Sequence, residues 1–166
     1  MTNKIILMFA LFGASMFTQA AQPNSKVIID ADNQKADIKR NVIIFEKNVE
    51  ITHDKRKIKA NFLEAYRRAE LGENKQLLVA KGNPASYAET LEDGTVITAS
   101  ANEISYDVAT EILLISGKAT ITQSGQKMSA EKITYDIKQQ LISAVKDENS
   151  SQRVRTILTP SEKDKK

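Results

Sequence analysis

Histidine is the residue type in this chain with the widest chemical use, and His53 is the only one among 166 residues. A hydrolase would combine it with a serine and a carboxylate, an arrangement that the sequence neither shows nor excludes. The residue lies in the polar run 53–57, whose counterpart in an internal repeat is the loop-like run 123–127, so we predict a solvated turn. The chain has no cysteine, which excludes disulfides, thiolate zinc sites and cysteine nucleophiles. We therefore predict no catalytic residue, no metal site, no cofactor and no enzymatic activity.

Charged side chains offer two further candidates. Asp107 and Asp136 recur at equivalent positions, as an acid–base pair could, but each follows a tyrosine in an alternating pattern that points it away from the apolar face. The basic runs 55–59, 67–68 and 163–166 could bind phosphate groups, although scattered exposed charge is the simpler interpretation. The net charge is only +3, whereas a nucleic-acid-binding domain usually has a clear basic excess. We predict that these charged groups are solvated and that nucleic acid is not a partner.

A set of apolar side chains shares one face of the predicted strands. In segments 104–108 and 133–137, residues of one parity are apolar and those of the other are polar, which is typical of a half-buried strand. For any single residue, the core of an ordinary β-sandwich is the simpler interpretation. Only an open or loosely filled interior would make this face a binding site. By parity the face consists of Val27, Ile29, Ile104, Tyr106, Val108, Ile133, Tyr135 and Ile137, with Tyr87 beside them just after a turn predicted at 82–85.

The elements that position this face come from an internal repeat of about 29 residues. Units begin near Ala31, Ala60, Ala101 and Ala130, and the second unit carries an insertion around 71–96. Units of this size usually stack, because one alone cannot bury its apolar face. We therefore predict an all-β fold in which two twisted sheets enclose a continuous apolar interior.

Two local features bear on this prediction. The segment 60–71 contains good intrinsic helix formers, yet its repeat equivalent is an alternating strand, and we predict a strand because tertiary context overrides propensity. The apolar set also changes parity within each unit, which predicts a bend or bulge near 61–62 and 131–132. Such bends would let a strand cross from one sheet to the other.

The N-terminal segment has the features of a secretory signal peptide. An apolar run over 5–17 follows a lysine, and small residues near its end suit cleavage after Ala20. The run is shorter than the roughly 20 residues of a membrane-spanning helix. We predict a cleaved signal peptide at 1–20, one domain at 21–160, a charged and disordered tail at 161–166, and a periplasmic location.

Five segments carry a resemblance to a known family. They are Gly82-Asn83-Pro84-Ala85, Ala101-Asn102-Glu103-Ile104-Ser105-Tyr106, the runs 117–123 and 130–135, and a closing strand in 153–160. In order and spacing they resemble the OstA-like family of lipopolysaccharide-transport proteins over about residues 26–160. One departure is that Glu46-Lys47-Asn48-Val49 stands where the family has a glycine-containing turn, although Gly117 keeps it in the second half of the chain.

The resemblance implies a slightly twisted, open β-jellyroll of antiparallel strands that carries the acyl chains of lipopolysaccharide inside. The lipid-lining positions that it implies are Val27, Ile29, Tyr87, Tyr106 and Val108. They agree with the face defined by parity, so we extend the lipid-binding prediction to the rest of that face: Ile104, Ile133, Tyr135 and Ile137.

Protein partners are implied in the same way. Copies of the chain would stack end to end as a homo-oligomer that bridges the inner and outer membranes. An inner-membrane partner, LptC, would bind at the N-terminal end, and the outer-membrane translocon, LptD, at the C-terminal end. Three alternatives stay open at this point: a periplasmic adaptor that binds only proteins through its sheet edges, a hydrolase using His53, and a protein that binds nucleic acid or other polyanions.

Overall fold

Ten β-strands make up nearly all of the structure, a computed structural model that describes residues 25–72, 75–146 and 153–159. In chain order the strands are β1 (Val27–Asp30), β2 (Asn33–Asp37), β3 (Val42–His53), β4 (Arg56–Tyr66), β5 (Leu77–Thr90), β6 (Val96–Asp107), β7 (Ile112–Gln123), β8 (Gln126–Asp136), β9 (Leu141–Val145) and β10 (Arg155–Leu158). The all-β prediction is confirmed. Among these described residues no helix has the length and apolar character needed to span a bilayer. The predicted signal peptide at 1–20 and tail at 161–166 lie outside them.

All ten strands belong to one antiparallel sheet that does not close on itself. The ladder runs β1-β3-β4-β5-β6-β7-β8-β10, with β2 also paired to β3 and β9 also paired to β8. Each end of the sheet therefore carries two short strands that lie one after the other along the edge of one long strand. Both ends present free backbone groups, since a strand at the edge of a sheet has one unpaired side.

Every long strand is interrupted near its middle by an irregularity. The register shifts between Glu46 and Val49 in the β3–β4 ladder, and comparable shifts occur in each ladder up to β7–β8. The shift in the β4–β5 ladder spans 59–62, and that in the β7–β8 ladder leaves Glu131 unpaired. The irregularities predicted near 61–62 and 131–132 from the change of parity are thus confirmed. The extra residue lies on the partner strand, because Lys47 and Asn48 face Asn61 alone, and Gly117 and Lys118 face Glu131 alone.

The row of bulges divides the sheet into two halves. Half A holds β2, β9 and the segments 42–46, 62–66, 77–81, 103–107, 112–116 and 132–136. Half B holds β1, β10 and the segments 49–53, 56–60, 85–90, 96–101, 119–123 and 126–130. The two sheets expected from the sequence are therefore one hydrogen-bonded sheet with two halves.

Two bulges correct details of the sequence interpretation. The turn predicted at Gly82-Asn83-Pro84 is wrong, because β5 continues through these residues and they form its bulge, where the missing N–H of proline costs no ladder bond. Lys47 and Asn48 have φ values of 66° and 49°, close to the 78° and 55° of Gly117 and Lys118. The absence of glycine in the first half therefore leaves the backbone geometry unchanged.

The segment 60–71 is mainly extended, as predicted. Strand β4 continues to Tyr66, and only Ala69–Leu71 forms a 3-10 turn. Pairing on both sides, with β3 and β5, overrides the helix propensity of these residues. The predicted insertion around 71–96 contains β5 itself and the turn that leads to β6.

The repeated aspartates Asp107 and Asp136 each accept hydrogen bonds from the backbone of the turn that follows their strand. Asp107 accepts hydrogen bonds from the backbone N–H groups of Ala109 and Thr110, and Asp136 accepts one from Gln139. Asp37 does the same for Arg40 in the first repeat. The carboxylates therefore cap the turns that follow β2, β6 and β8, as aspartate commonly does.

Candidate functional site

The apolar sides of the two halves face each other. Tyr87 lies in half B on β5 and Tyr135 in half A on β8, three ladder steps apart along the sheet. In a flat sheet that separation would be roughly 14 Å, at about 4.8 Å per strand. Their ring centroids are only 6.4 Å apart, in an edge-to-face arrangement. The sheet is therefore folded along its row of bulges, and the halves form the two walls of one interior.

All nine predicted lipid-binding residues belong to this interior. Seven of them are buried core residues: Tyr87, Ile104, Tyr106, Val108, Ile133, Tyr135 and Ile137. Val27 and Ile29, on the edge strand β1, are partly buried and pack against the same core, while Ile28 between them is 54% exposed. The structure thus brings the predicted set together on one side of the sheet, with the members from β1 at its rim.

Among the described residues, the side chains of this interior are closely packed. A cavity beside Tyr106 and Ile58 has a volume of about 10 Å³. A single water needs about 10–15 Å³ by this measure, so the space is at most large enough for one water molecule. At this place an acyl chain could therefore enter only if the two halves moved apart.

Sequence reasoning missed a cluster of polar side chains at one side of this interior. Glu89, on β5, is 6% exposed. Its Oε2 accepts hydrogen bonds from the hydroxyls of Tyr87 at 3.0 Å and Tyr135 at 2.9 Å, and its Oε1 accepts one from Arg56 Nε at 3.1 Å. Burying a carboxylate is costly unless it is paired and hydrogen-bonded, and this one is both. The sequence did contain a signal, because Glu89 has the same inward parity as Tyr87.

His53 belongs to the same cluster, and its predicted place in a solvated turn is wrong. It is the last residue of β3 and is 7% exposed, since the turn consists only of Asp54 and Lys55. Its Nδ1 lies 2.8 Å from the Tyr106 hydroxyl, which is within hydrogen-bond distance. Burial lowers the pKa of the imidazole below its usual 6.5, so the ring is neutral at pH 7 and Nδ1 can accept a hydrogen bond from the Tyr106 hydroxyl.

Arg56 connects these groups across the two halves. Besides Glu89 in its own half, its guanidinium lies 3.3 Å from Glu111 Oε2 and 3.5 Å from the Tyr106 hydroxyl, both in the opposite wall. Burial raises the pKa of Tyr106 to about 12 and also raises the pKa of Tyr135. Both hydroxyls therefore keep their protons at neutral pH. No side-chain nitrogen or oxygen buried in the described residues lacks a hydrogen-bond partner.

A hollow of about 570 Å³ lies on the solvent side of this cluster. Its walls come from the β3–β4 and β5–β6 turns of half B and from the β8–β9 turn of half A, with Leu91 and Ile137 as its apolar members. Arg56 and Glu89 also line it. We call this opening between the turn-bearing ends of the two halves the mouth.

The cluster does not have the composition of a metal site. Within 25–72, 75–146 and 153–159 there is no group of three or more histidine, cysteine, aspartate or glutamate side chains placed to hold a metal ion. Its carboxylates instead pair with Arg56 and with tyrosine hydroxyls. Chemically, the arrangement can hold the two halves together at the mouth.

Comparison with known proteins gives consistent matches over the folded region. Residues 28–141 match the family model described as LptA/(LptD N-terminal domain) LPS transport protein. The lipopolysaccharide export system protein LptA of Haemophilus influenzae is 33% identical over 97% of this chain and 94% of its own length. The protein of the same name from Escherichia coli K12 is 29% identical over 97% of this chain and 89% of its own length.

A solved structure has the same fold. The crystal structure of LptH, the LptA-homologous periplasmic component of the lipopolysaccharide transport device of Pseudomonas aeruginosa, superimposes with a TM-score of 0.73. It covers 81% of this chain and 96% of its own, at 23% sequence identity. The open jellyroll predicted from the sequence is thereby confirmed.

Proposed function

The chain belongs to the LptA/LptD N-terminal domain family of lipopolysaccharide transport proteins, and on this premise we propose that it carries lipopolysaccharide across the periplasm with the acyl chains held between the two halves of its sheet. The observation that carries this proposal is the single apolar interior formed by two facing walls whose backbones are continuous only along the row of bulges. Relatives named as lipopolysaccharide export proteins support the choice of ligand.

The energetics favour a covered path of this kind. Exposing a twelve-carbon acyl chain to water costs roughly 10 kcal/mol at about 0.8 kcal/mol per methylene. Aliphatic and aromatic walls offset that cost without directional bonds, so a chain can slide from one set of contacts to the next. Interior residues such as Ile104 and Ile133, fully buried in the packed arrangement, would then exchange contacts with each other for contacts with lipid.

We propose that the two ends of the sheet are the joints of a bridge between the membranes. Strands β1 and β2 form one end and β9 and β10 the other, and within the described residues each has an unpaired edge to which a strand of another protein could add. Apolar side chains are exposed on the C-terminal end, including Leu141, Val145, Ile157 and Leu158. The N-terminal end would receive an LptC-like inner-membrane partner, the C-terminal end an LptD-like translocon, and copies of the chain would join end to end.

A matched pair of positions on β1 tests lipid binding. A photocrosslinking amino acid in place of Ile29 lies on the inner side of the strand, whereas the same group in place of Ile28 lies on the outer side. After irradiation with lipopolysaccharide, we expect adducts at position 29 and few at position 28, measured by immunoblotting for the shifted band. Equal crosslinking at both positions would contradict a lipid path between the halves. Absence of adducts together with intact binding of proteins at the edges would favour the adaptor that binds only proteins.

A further inference from the structure

Besides the 3.5 Å approach of Arg56 to the Tyr106 hydroxyl, three shorter contacts cross the mouth from one half to the other. His53 in half B meets the Tyr106 hydroxyl in half A at 2.8 Å. Glu89 in half B accepts from the Tyr135 hydroxyl in half A at 2.9 Å. Arg56 in half B lies 3.3 Å from Glu111, in the turn that leads into the half A strand β7. We refer to these six residues as the mouth cluster.

These contacts occupy the side on which the walls can separate. Along the row of bulges the two halves are continuous backbone, so a movement that widens the interior must act at the opposite side, where the strands end in turns. The mouth cluster lies at that side, between the hollow of about 570 Å³ and the packed interior. Any widening that admits an acyl chain has to lengthen or break its bonds.

We propose that the mouth cluster is a polar latch that holds the two halves closed and sets the rate at which lipid enters the interior from the side. This inference rests on the proposed function, and it identifies Arg56 and Glu111 as residues that regulate entry rather than residues that line the path. Apolar walls alone attract each other without a defined closed position. Charge-assisted hydrogen bonds across the mouth supply one, because their strength depends steeply on distance and angle.

Glu111 is the member of the latch that can be altered with least damage. Its side chain is 28% exposed, and Arg56 keeps its bond to Glu89 when Glu111 is changed. Glu111→Gln therefore weakens the link between the halves while the buried part of the cluster stays paired. The matched control is Glu103→Gln, because Glu103 is paired with Lys81 at 3.7 Å on the neighbouring strand of the same half. That pair does not cross the mouth.

The first measurement is the rate of lipid entry. Fluorescently labelled lipopolysaccharide is mixed with the full chain, and the initial rate of fluorescence change is recorded. We expect Glu111→Gln to load roughly three to ten times faster than the unaltered chain, which corresponds to about 0.7–1.4 kcal/mol in the barrier. Glu103→Gln should load at the unaltered rate. If the unaltered chain loads lipid and Glu111→Gln is no faster, the latch is refuted while the proposed function stands.

The second measurement needs no lipid. Because the chain has no native cysteine, the pair Lys55→Cys and Lys138→Cys can carry two spin labels on opposite sides of the mouth. We expect a narrow distance distribution for the unaltered background and for Glu103→Gln, and a broader one extending to longer distances for Glu111→Gln. An unchanged distribution would overturn the latch whatever the loading rates. If the distribution broadens but no variant loads lipopolysaccharide, the latch between the halves holds and the proposed lipid function fails.

Discussion

Removal of the charge on Glu89 should destabilise the fold more than removal of any exposed carboxylate. In Glu89→Gln the side chain keeps its size, but the amide has one acceptor oxygen and one donor NH₂ group. It therefore cannot accept hydrogen bonds from Arg56 and from both tyrosine hydroxyls at the same time. At least one buried donor is then left without a partner. Breaking a buried ion pair of this kind costs about 3–5 kcal/mol, out of a total stability of about 5–15 kcal/mol for a typical domain.

Urea unfolding followed by circular dichroism measures this loss, and a thermal scan should show a melting temperature lowered by roughly 6–20 °C. The matched control is Glu92→Gln, three residues further along the chain on the exposed β5–β6 turn, which should change the free energy of unfolding by less than about 0.5 kcal/mol. Tyr135→Phe removes one of the three donors and should cost about 1.5–3 kcal/mol. A Glu89→Gln protein within 1 kcal/mol of the unaltered chain would refute the reasoning, because it would mean that the cluster contributes little to closure of the two halves.

Three further predictions concern the turns and bulges. Hydrogen bonds from Arg68, and then from the turn backbone, hold the pKa of Asp107 at about 2, below its ordinary 3.8. Asp107→Asn should therefore lower the free energy of unfolding in urea by about 2 kcal/mol at pH 7, and this loss should shrink as the pH falls from about 4 to 2. A loss that does not depend on pH would contradict this prediction. Gly117 has φ +78° and a Cβ there would lie 2.9 Å from the Asn102 side chain, so Gly117→Ala should lower the free energy of unfolding by about 1–3 kcal/mol. Lys47 has the corresponding left-handed conformation at φ 66°, so Lys47→Gly should raise the free energy of unfolding in urea by about 0.5 kcal/mol. A lower free energy of unfolding would show that the lysine side chain itself contributes to stability.

The parity of apolar residues carried most of the information about the fold. Strand β8 illustrates this, since the change of parity between Ala130 and Ile133 located a bulge that the ladder with β7 confirms. A local pattern reports which side of a strand a residue faces, and the apolar interior follows from it directly. For 60–71 the repeat was the decisive signal, because its alternating counterpart favoured a strand over the local helix propensity, and the chain is extended up to Tyr66.

The polar cluster could not be predicted from the parity of residues within single strands, and the reason is physical. The partners of His53 and Arg56 lie 53 and 55 residues away in sequence, on the opposite wall, and their meeting depends on how the whole sheet folds along its bulges. The repeat aligned His53 correctly, because its counterpart Gln123 ends β7 just as His53 ends β3, and the error lay in interpreting both positions as loop. Only Glu89 could have been noticed earlier, as a charge on the apolar side of β5.

Nuclear magnetic resonance of isoleucine methyl groups tests the lipid path most directly, because the chain has isoleucines on both sides of its walls and needs no substitution. With methyl-labelled protein and lipopolysaccharide, we predict nuclear Overhauser effects from acyl-chain protons to interior residues such as Ile104 and Ile133, which are fully buried. Contacts confined to the exposed residues Ile28, Ile38 and Ile157, with the interior methyl resonances unchanged, would contradict transport between the two halves.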